Sequence, residues 1–149
     1  IALADGTPTP IYHVLKTLNR EFVAIARELQ PLRSLAVYHA GTTPPGTEPL
    51  PKDAAFRLDP PVAPIAHKNL QPVKGVLLGL FGPADKPTHV LVVNLDYKAS
   101  RATSLIGSGN LEAFDAAGGT WTTGTGNRIA LQLSPGGGRL VRIQASKEK

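Results

Sequence analysis

The chain contains no cysteine and no methionine, and aromatic residues make up only 5% of its 149 positions. The absence of cysteine excludes disulfides and thiolate metal sites. Because aromatics are scarce, a core must be built mainly from leucine, valine, isoleucine and alanine. No methionine precedes Ile1 and no signal peptide is visible, so we expect a processed chain or a piece of a longer one. The compartment is left undecided by the composition.

Long hydrophobic runs and one-sided charge are also missing. No apolar run approaches the roughly 18 residues of a membrane-spanning helix, so we predict no membrane partner. The net charge is +5, but residues 1–33 carry four basic and three acidic groups and residues 34–138 carry eight and seven. The remaining excess lies in the last eleven residues. A nucleic-acid site needs a continuous basic face with stacking aromatics, so we predict no nucleic-acid partner.

The chain does contain many short apolar runs separated by turn-forming residues. Between Val90 and Ile143 the runs alternate with glycine-rich clusters such as Gly-Ser-Gly-Asn and Pro-Gly-Gly-Gly, a pattern typical of hairpin-connected strands. We therefore predict a mainly β fold, an antiparallel β-sandwich of about eight short strands whose turn glycines supply positive φ. The predicted strands are SLAVYHA, AAFRL, VKGVLLGLFG, THVLVVNLDY and four runs at roughly 101–106, 110–115, 128–133 and 139–144.

One long amphipathic helix is predicted before the first strand. Thr9 is a suitable N-cap and Pro10 a suitable first helical residue. Gln30-Pro31 should end the helix, since proline disfavours α geometry in the residue before it. The helix is thus roughly 20 residues or about 30 Å long, and its apolar stripe must bury against this chain's sheet or against a partner. The stripe is formed by Ile11, Leu15, Leu18, Phe22, Ile25 and Leu29.

The chain is predicted to divide at the end of this helix. Residues 1–33 are interpreted as a linker and the amphipathic helix, which we expect to be the tail of an upstream domain. Residues 34–149 are interpreted as the β-sandwich domain. Within it, residues 41–53 contain four prolines and are predicted to be irregular. The prolines around AAFRL and PPVAPIA confine any strand there to a sheet edge.

No residue pattern indicates catalysis. Asp96, Glu112 and Asp115 lie near predicted strand ends, but nothing pairs two of them across a substrate as glycoside hydrolysis requires. The four histidines are scattered, no G-x-S-x-G occurs, and the glycine-rich segments do not lead into the helix that a phosphate loop needs. We predict no catalytic residue, no cofactor and no metal site.

Three aromatic side chains are the candidates for contact with a ligand. Trp121, Tyr97 and Tyr38 would form a sugar-stacking platform if they lay on one exposed face. The alternative is that Trp121 is a packing residue that closes one end of the sandwich. Both interpretations are compatible with the sequence.

The order of elements from about residue 11 to 144 matches a known arrangement. LNREFVAIARELQPL is followed by the short run LAVYH, and then by VVNLDY, LEAFDAAGGTW and LQLSPGGGRLVRI. These phrases resemble the C-terminal region of a bacterial multidomain glycoside hydrolase, in which the last helix of a (β/α)₈ barrel leads into an accessory β-sandwich. The resemblance implies that the catalytic carboxylates lie at barrel strand ends before Ile1. No catalytic residue is therefore assigned within the chain.

The leading hypothesis is an accessory, non-catalytic β-sandwich domain of such an enzyme, which braces the catalytic domain or an oligomer. The helix stripe would then contact the upstream catalytic domain or mediate self-association, and carbohydrate is a further candidate partner. The alternatives are a carbohydrate-binding module and an unrelated structural or interaction domain, because a fold alone does not determine function.

Overall fold

The computed structural model describes residues 1–69 and 71–145. It confirms a mainly β fold with one N-terminal helix, α1 (Pro10–Leu29). Ten strands follow, two more than predicted, and the last four residues of the predicted second domain lie outside the described part. The strands are β1 (Arg33–Gly41), β2 (Glu48–Pro49), β3 (Arg57–Asp59), β4 (Gly75–Gly82), β5 (His89–Asn94), β6 (Arg101–Ile106), β7 (Leu111–Asp115), β8 (Thr120–Thr123), β9 (Arg128–Leu133) and β10 (Gly138–Ile143).

Helix α1 has the predicted length of 20 residues, with Pro10 in its first turn. Thr9 occupies the N-cap position, but its side chain makes no cap hydrogen bond. The prediction of Thr9 as the N-cap residue is therefore confirmed, and its hydroxyl donates to the carbonyl oxygen of Ile1 at 2.7 Å. This bond and the bridge between Ala2 and Pro8 fold the predicted linker into a turn against the start of the helix.

The strands form a seven-stranded sheet in the order β2-β1-β4-β5-β10-β7-β8 and a three-stranded sheet in the order β3-β6-β9. The sheets are not purely antiparallel as predicted, because β1 and β2 pair in parallel, with Tyr38 opposite Glu48 and His39 opposite Pro49. Strand β2 lies inside the proline-rich segment that was predicted to be irregular. That segment leaves the end of β1, turns back and passes the edge of β1 in the same direction.

Strand β8 is the second strand that the sequence prediction lacks. It pairs with β7 in antiparallel register, with Trp121 opposite Phe114. Its sequence is TWTT, in which threonines surround a single large apolar residue. Such a short, polar edge strand has no apolar run to reveal it, and it forms because β7 supplies the backbone hydrogen bonds.

The two sheets share one aliphatic core. Alternate residues of β4 and β5 point into it, among them Leu78 and Val92, and the three-stranded sheet contributes Leu105 and Leu131 from the other side. This alternation is the period of two that a strand imposes on its side chains. The core contains Ala40, Phe56, Leu58, Val76, Leu78, Leu80, Val90, Val92, Leu105, Leu111, Ile129, Leu131, Leu133 and Val141.

The glycines in the turns have two different roles. Gly136, in the Pro-Gly-Gly-Gly turn, has the predicted positive φ of 65°. The glycines of the Gly-Ser-Gly-Asn turn do not adopt positive φ, so the prediction is wrong there. A Cβ at Gly107 would lie 2.6 Å from the Leu111 side chain, and one at Gly109 would lie 2.9 Å from Ile143. Close packing therefore accounts for glycine at those two positions.

Candidate functional site

The apolar stripe of helix α1 is largely uncovered. Phe22 is 71% exposed, Ile11 64% and Leu18 54%, whereas Ile25 and Leu29 near the C-terminal end are half-buried. No residue of the helix is buried. We call the six predicted positions the α1 apolar face. Over its first three turns this face is open to solvent at Ile11 and Leu18, and Leu15 is 38% exposed.

The surface around the first turns of α1 is apolar as well. Val14 is 59% exposed and lies three residues after Ile11 and four before Leu18, so the three are neighbours on the helix. In the turn that precedes the helix, Ile1 is 72% and Leu3 58% exposed. Large contiguous apolar patches are uncommon on the surface of monomeric soluble proteins.

Trp121 lies in an aromatic and ionic cluster on the face of the larger sheet that points away from the core. Its ring centroid is 5.0 Å from that of Phe114 and 6.0 Å from that of His89. The guanidinium carbon of Arg142 stands 4.0 Å from the centroid of the Trp121 ring. Glu112 is buried and accepts a hydrogen bond from Nε of Arg142 at 2.7 Å. The cluster therefore holds the indole by packing, and Arg142 occupies one face of the ring.

His89 connects this cluster to helix α1. Burial and the positive charge of Arg142 lower the pKa of His89, while the negative charge of Glu28, in the last turns of α1, raises it in part. The Nδ1 atom of His89 is 2.8 Å from the Thr88 hydroxyl. The C-terminal end of the helix thus lies near enough to the sheet for its charge to act on the imidazole.

Tyr97 lies elsewhere, in the segment that follows β5. Its ring is 62% exposed and borders a cleft of about 540 Å³ that we call the Tyr97 cleft. The wall of the cleft comes from this segment, from Thr42 and from the loop before β4. Apart from Tyr97, the titratable side chains of the lining are His67, Lys68, Lys74, Asp96 and Lys98.

The carboxylate of Asp96, which lines this cleft, is fixed by backbone hydrogen bonds. Its Oδ1 accepts the backbone N–H groups of Lys98 at 2.8 Å and Ala99 at 3.1 Å. These hydrogen bonds, together with the charges of Lys74 and Arg101, lower the pKa of Asp96. The carboxylate is therefore ionised in the neutral range and acts as an acceptor rather than a general acid.

The third aromatic candidate, Tyr38, packs against the core from β1. Tyr38 is opposite Leu78, which is buried between the sheets, whereas Trp121 lies on the opposite face and Tyr97 in a loop. The three side chains therefore do not form one shared platform. Contact of any of them with carbohydrate stays a prediction.

The candidate carboxylates are not paired with one another. Asp96 caps the turn after β5, Glu112 pairs with Arg142, and Asp115 accepts the backbone N–H of Ala117 at 3.1 Å. Glu112 and Asp115 lie three positions apart on β7, so they point to opposite faces of the strand. This arrangement provides no second carboxylate across a substrate, and we assign no acid–base pair among them.

Residues that could hold a metal ion are not gathered anywhere in the described ranges. No group of three or more histidine or carboxylate side chains with that ability is found there. In the same ranges, no helix is long and apolar enough to cross a membrane.

The sequence reasoning identified Tyr97 but missed the cations beside it. Lys68 and Lys74 reach the cleft from a loop that a bridge between Thr42 and Ile65 fixes in place. This long-range contact leaves no local pattern in the sequence.

No family model, no curated protein and no solved structure matches the chain.

Proposed function

We propose that the chain is an accessory, non-catalytic β domain of a glycoside hydrolase-like enzyme, and that α1 docks it onto the catalytic domain. The observation that supports this proposal is the exposure of the α1 apolar face. The resemblance of the element order to the end of such enzymes supplies the identity of the partner. The absence of a carboxylate pair among the described residues fits a non-catalytic role.

The energetics of α1 favour a docking role. Most of the stability of helices in proteins comes from packing of an amphipathic face rather than from helix propensity. Full burial of a side chain such as Leu18 or Phe22 contributes about 1.5–3 kcal/mol. Anchors at i, i+3, i+4 and i+7 are those by which an amphipathic helix lies in an apolar groove. In the enzymes that the element order resembles, the helix in this position packs on the barrel.

The docking proposal is tested by moving the same charge between two faces of one helix. Leu18→Lys and Phe22→Lys place lysine on the α1 apolar face, and Thr17→Lys and Asn19→Lys are matched controls on exposed positions outside it. In the isolated chain we expect the uncovered face to drive concentration-dependent association in sedimentation velocity. The first pair should give monomers and the second pair should associate like the unmodified chain. Equal behaviour of both pairs would contradict a docking role for the face.

The non-catalytic part of the proposal is tested by activity. The purified chain should not hydrolyse chromogenic galactosides, glucosides or fucosides. Turnover that survives repurification and disappears in Asp96→Asn or Asp115→Asn would contradict the proposal. In the gene, we expect the reading frame before Ile1 to encode several hundred residues with acidic residues at strand ends, as in barrel enzymes. A start site directly upstream would count against it.

A carbohydrate-binding role is the second candidate function. It is favoured by the exposed ring of Tyr97 at the mouth of a cleft, because sugars and other ligands are held in concave sites with a few convergent polar groups. Retention on glycan arrays that is lost in Tyr97→Ala would support it. Trp121→Ala serves as the comparison, since one face of that ring is already occupied by Arg142.

A further inference from the structure

We infer that the Tyr97 cleft binds an acidic sugar, with its lysines contacting the anionic group and Tyr97 stacking on the ring. The sugar component rests on the proposed carbohydrate-active role, whereas the anionic component rests on the charges of the cleft alone. The ligand class is a uronic acid or a sulfated sugar, which share a ring and a negative group.

The charges in the cleft are unbalanced. Lys68, Lys74 and Lys98 line it, Arg101 lies close enough to act on Asp96, and Asp96 is the one acidic side chain of the lining. Within residues 1–69 and 71–145, the ion pairs are Arg128 with Asp59 and Arg142 with Glu112. None of the cleft cations takes part in them. An anionic ligand would therefore balance the excess positive charge of the cleft.

One buried polar atom in the cleft wall lacks a partner. Nδ1 of His67, a lining residue, is buried and has no hydrogen-bond partner in the described part of the chain. A buried polar group without a partner costs about 1–3 kcal/mol, and native structures leave few such groups. A polar ligand in the cleft can supply a partner for the His67 imidazole.

The remaining features of the cleft favour a sugar. Tyr97 offers an exposed aromatic plane, and the Lys98 ammonium lies 5.4 Å from its centroid. The fixed Asp96 carboxylate can accept hydrogen bonds from hydroxyl groups. The volume of about 540 Å³ falls within the range of small-ligand sites, about 300–1,000 Å³. A nucleic-acid strand would need a longer row of cations and successive stacking aromatics, which one tyrosine does not provide.

The test is calorimetric titration of the chain at physiological salt with defined probes. Trigalacturonate is the carboxylated probe, dextran sulfate the sulfated one, maltotriose the neutral one, and a thymidine oligonucleotide represents nucleic acid. We expect binding of at least one acidic probe and weaker or no binding of maltotriose and the oligonucleotide. The stronger acidic probe identifies the anionic group.

Single substitutions then assign the binding to the cleft. Lys74→Ser and Lys98→Ser should each weaken binding about tenfold, since a charge-assisted hydrogen bond contributes that order of free energy. Tyr97→Ser should weaken it several-fold. Lys52→Ser and Lys86→Ser remove the same charge outside the cleft and should have little effect. All five side chains are exposed, so the fold should persist, which thermal melting checks.

Each contrary result overturns the inference in a recognisable way. No binding of either acidic probe, or equal loss in Lys52→Ser and Lys74→Ser, would exclude an acidic-ligand site in the cleft. Tighter binding of the oligonucleotide than of the acidic sugars would identify nucleic acid, rather than a sugar, as the ligand of the cleft. Equal binding of maltotriose that Lys74→Ser leaves intact would remove the acidic requirement while supporting carbohydrate binding. None of these outcomes changes the α1 association test, so failure here is distinguishable from failure of the docking proposal.

Discussion

Trp121 shows how the surroundings of a single side chain decide between two roles. In sequence it was a candidate both for sugar stacking and for packing. In the structure its ring is 5.0 Å from Phe114, and the guanidinium of Arg142 stands over it at 4.0 Å. Tyr97, which looked equivalent in the sequence, has a largely open ring beside three lysines. The difference arises from tertiary contacts that no local pattern records.

His89 is expected to make stability depend on pH near neutrality. Burial and the charge of Arg142 lower its pKa below the ordinary value of 6.5, so the folded chain favours the neutral imidazole. As the pH falls below 6.5, the unfolded chain takes up a proton before the folded one does, and the free energy of unfolding decreases. The stabilisation is thus present above the unfolded pKa and is lost as the pH falls towards the folded pKa.

Urea unfolding between pH 5 and 8 measures this effect. His89→Gln should flatten the decline in this range, while His13→Gln, at an exposed position in α1, is the matched control. A decline of unchanged slope in His89→Gln would show that another group is responsible.

At the scale of elements, the sequence predicts the helix and those strands whose own residues show an apolar period, an apolar run or a helix-starting proline. Helix α1 follows from its apolar spacing and from Pro10, and β4, β5 and β9 follow from apolar runs or alternation. Strands β2 and β8 were missed because two and four residues, mostly polar or proline, show no period. They exist because a neighbouring strand pairs with them.

Gly75 lies opposite Gly41 where β1 and β4 pair in antiparallel register, and we expect this position not to tolerate any side chain. Gly75 has φ of +111°, and an added Cβ would lie 2.0 Å from the carbonyl oxygen of Ala40. Gly75→Ala should lower the free energy of unfolding by more than the about 1–3 kcal/mol typical of backbone strain, because the clash is with backbone. Gly46→Ala is the control, since Gly46 has φ of +81° with no atom within 4 Å. Equal losses in the two variants, measured by urea unfolding, would contradict a steric cause.

At the scale of the whole molecule, the shared core makes the two sheets depend on each other. Leu105 of the three-stranded sheet and Leu78 of the seven-stranded sheet are both fully buried in the same cluster. Neither sheet can separate without exposing the other's apolar face. We therefore expect the β part of the chain to unfold in one cooperative step.

Leu105→Ala tests this coupling, with Trp121 as the single tryptophan reporter on the larger sheet. The substitution should cost about 2–5 kcal/mol and shift the fluorescence transition of Trp121 together with the circular dichroism transition. Ala102→Ser, at an exposed position of the same strand, should stay within about 0.5 kcal/mol. If Leu105→Ala left the fluorescence transition of Trp121 unchanged, the two sheets would unfold separately.

The ends of the larger sheet carry a further consequence. One edge strand has two residues and includes Pro49, and the other has four. Long, flat edges are templates on which other chains add strands and build fibrils, whereas short edges and proline prevent this. Strands β2 and β8 therefore offer little backbone of their own to an added strand, whereas β1 pairs with β2 only at Tyr38 and His39.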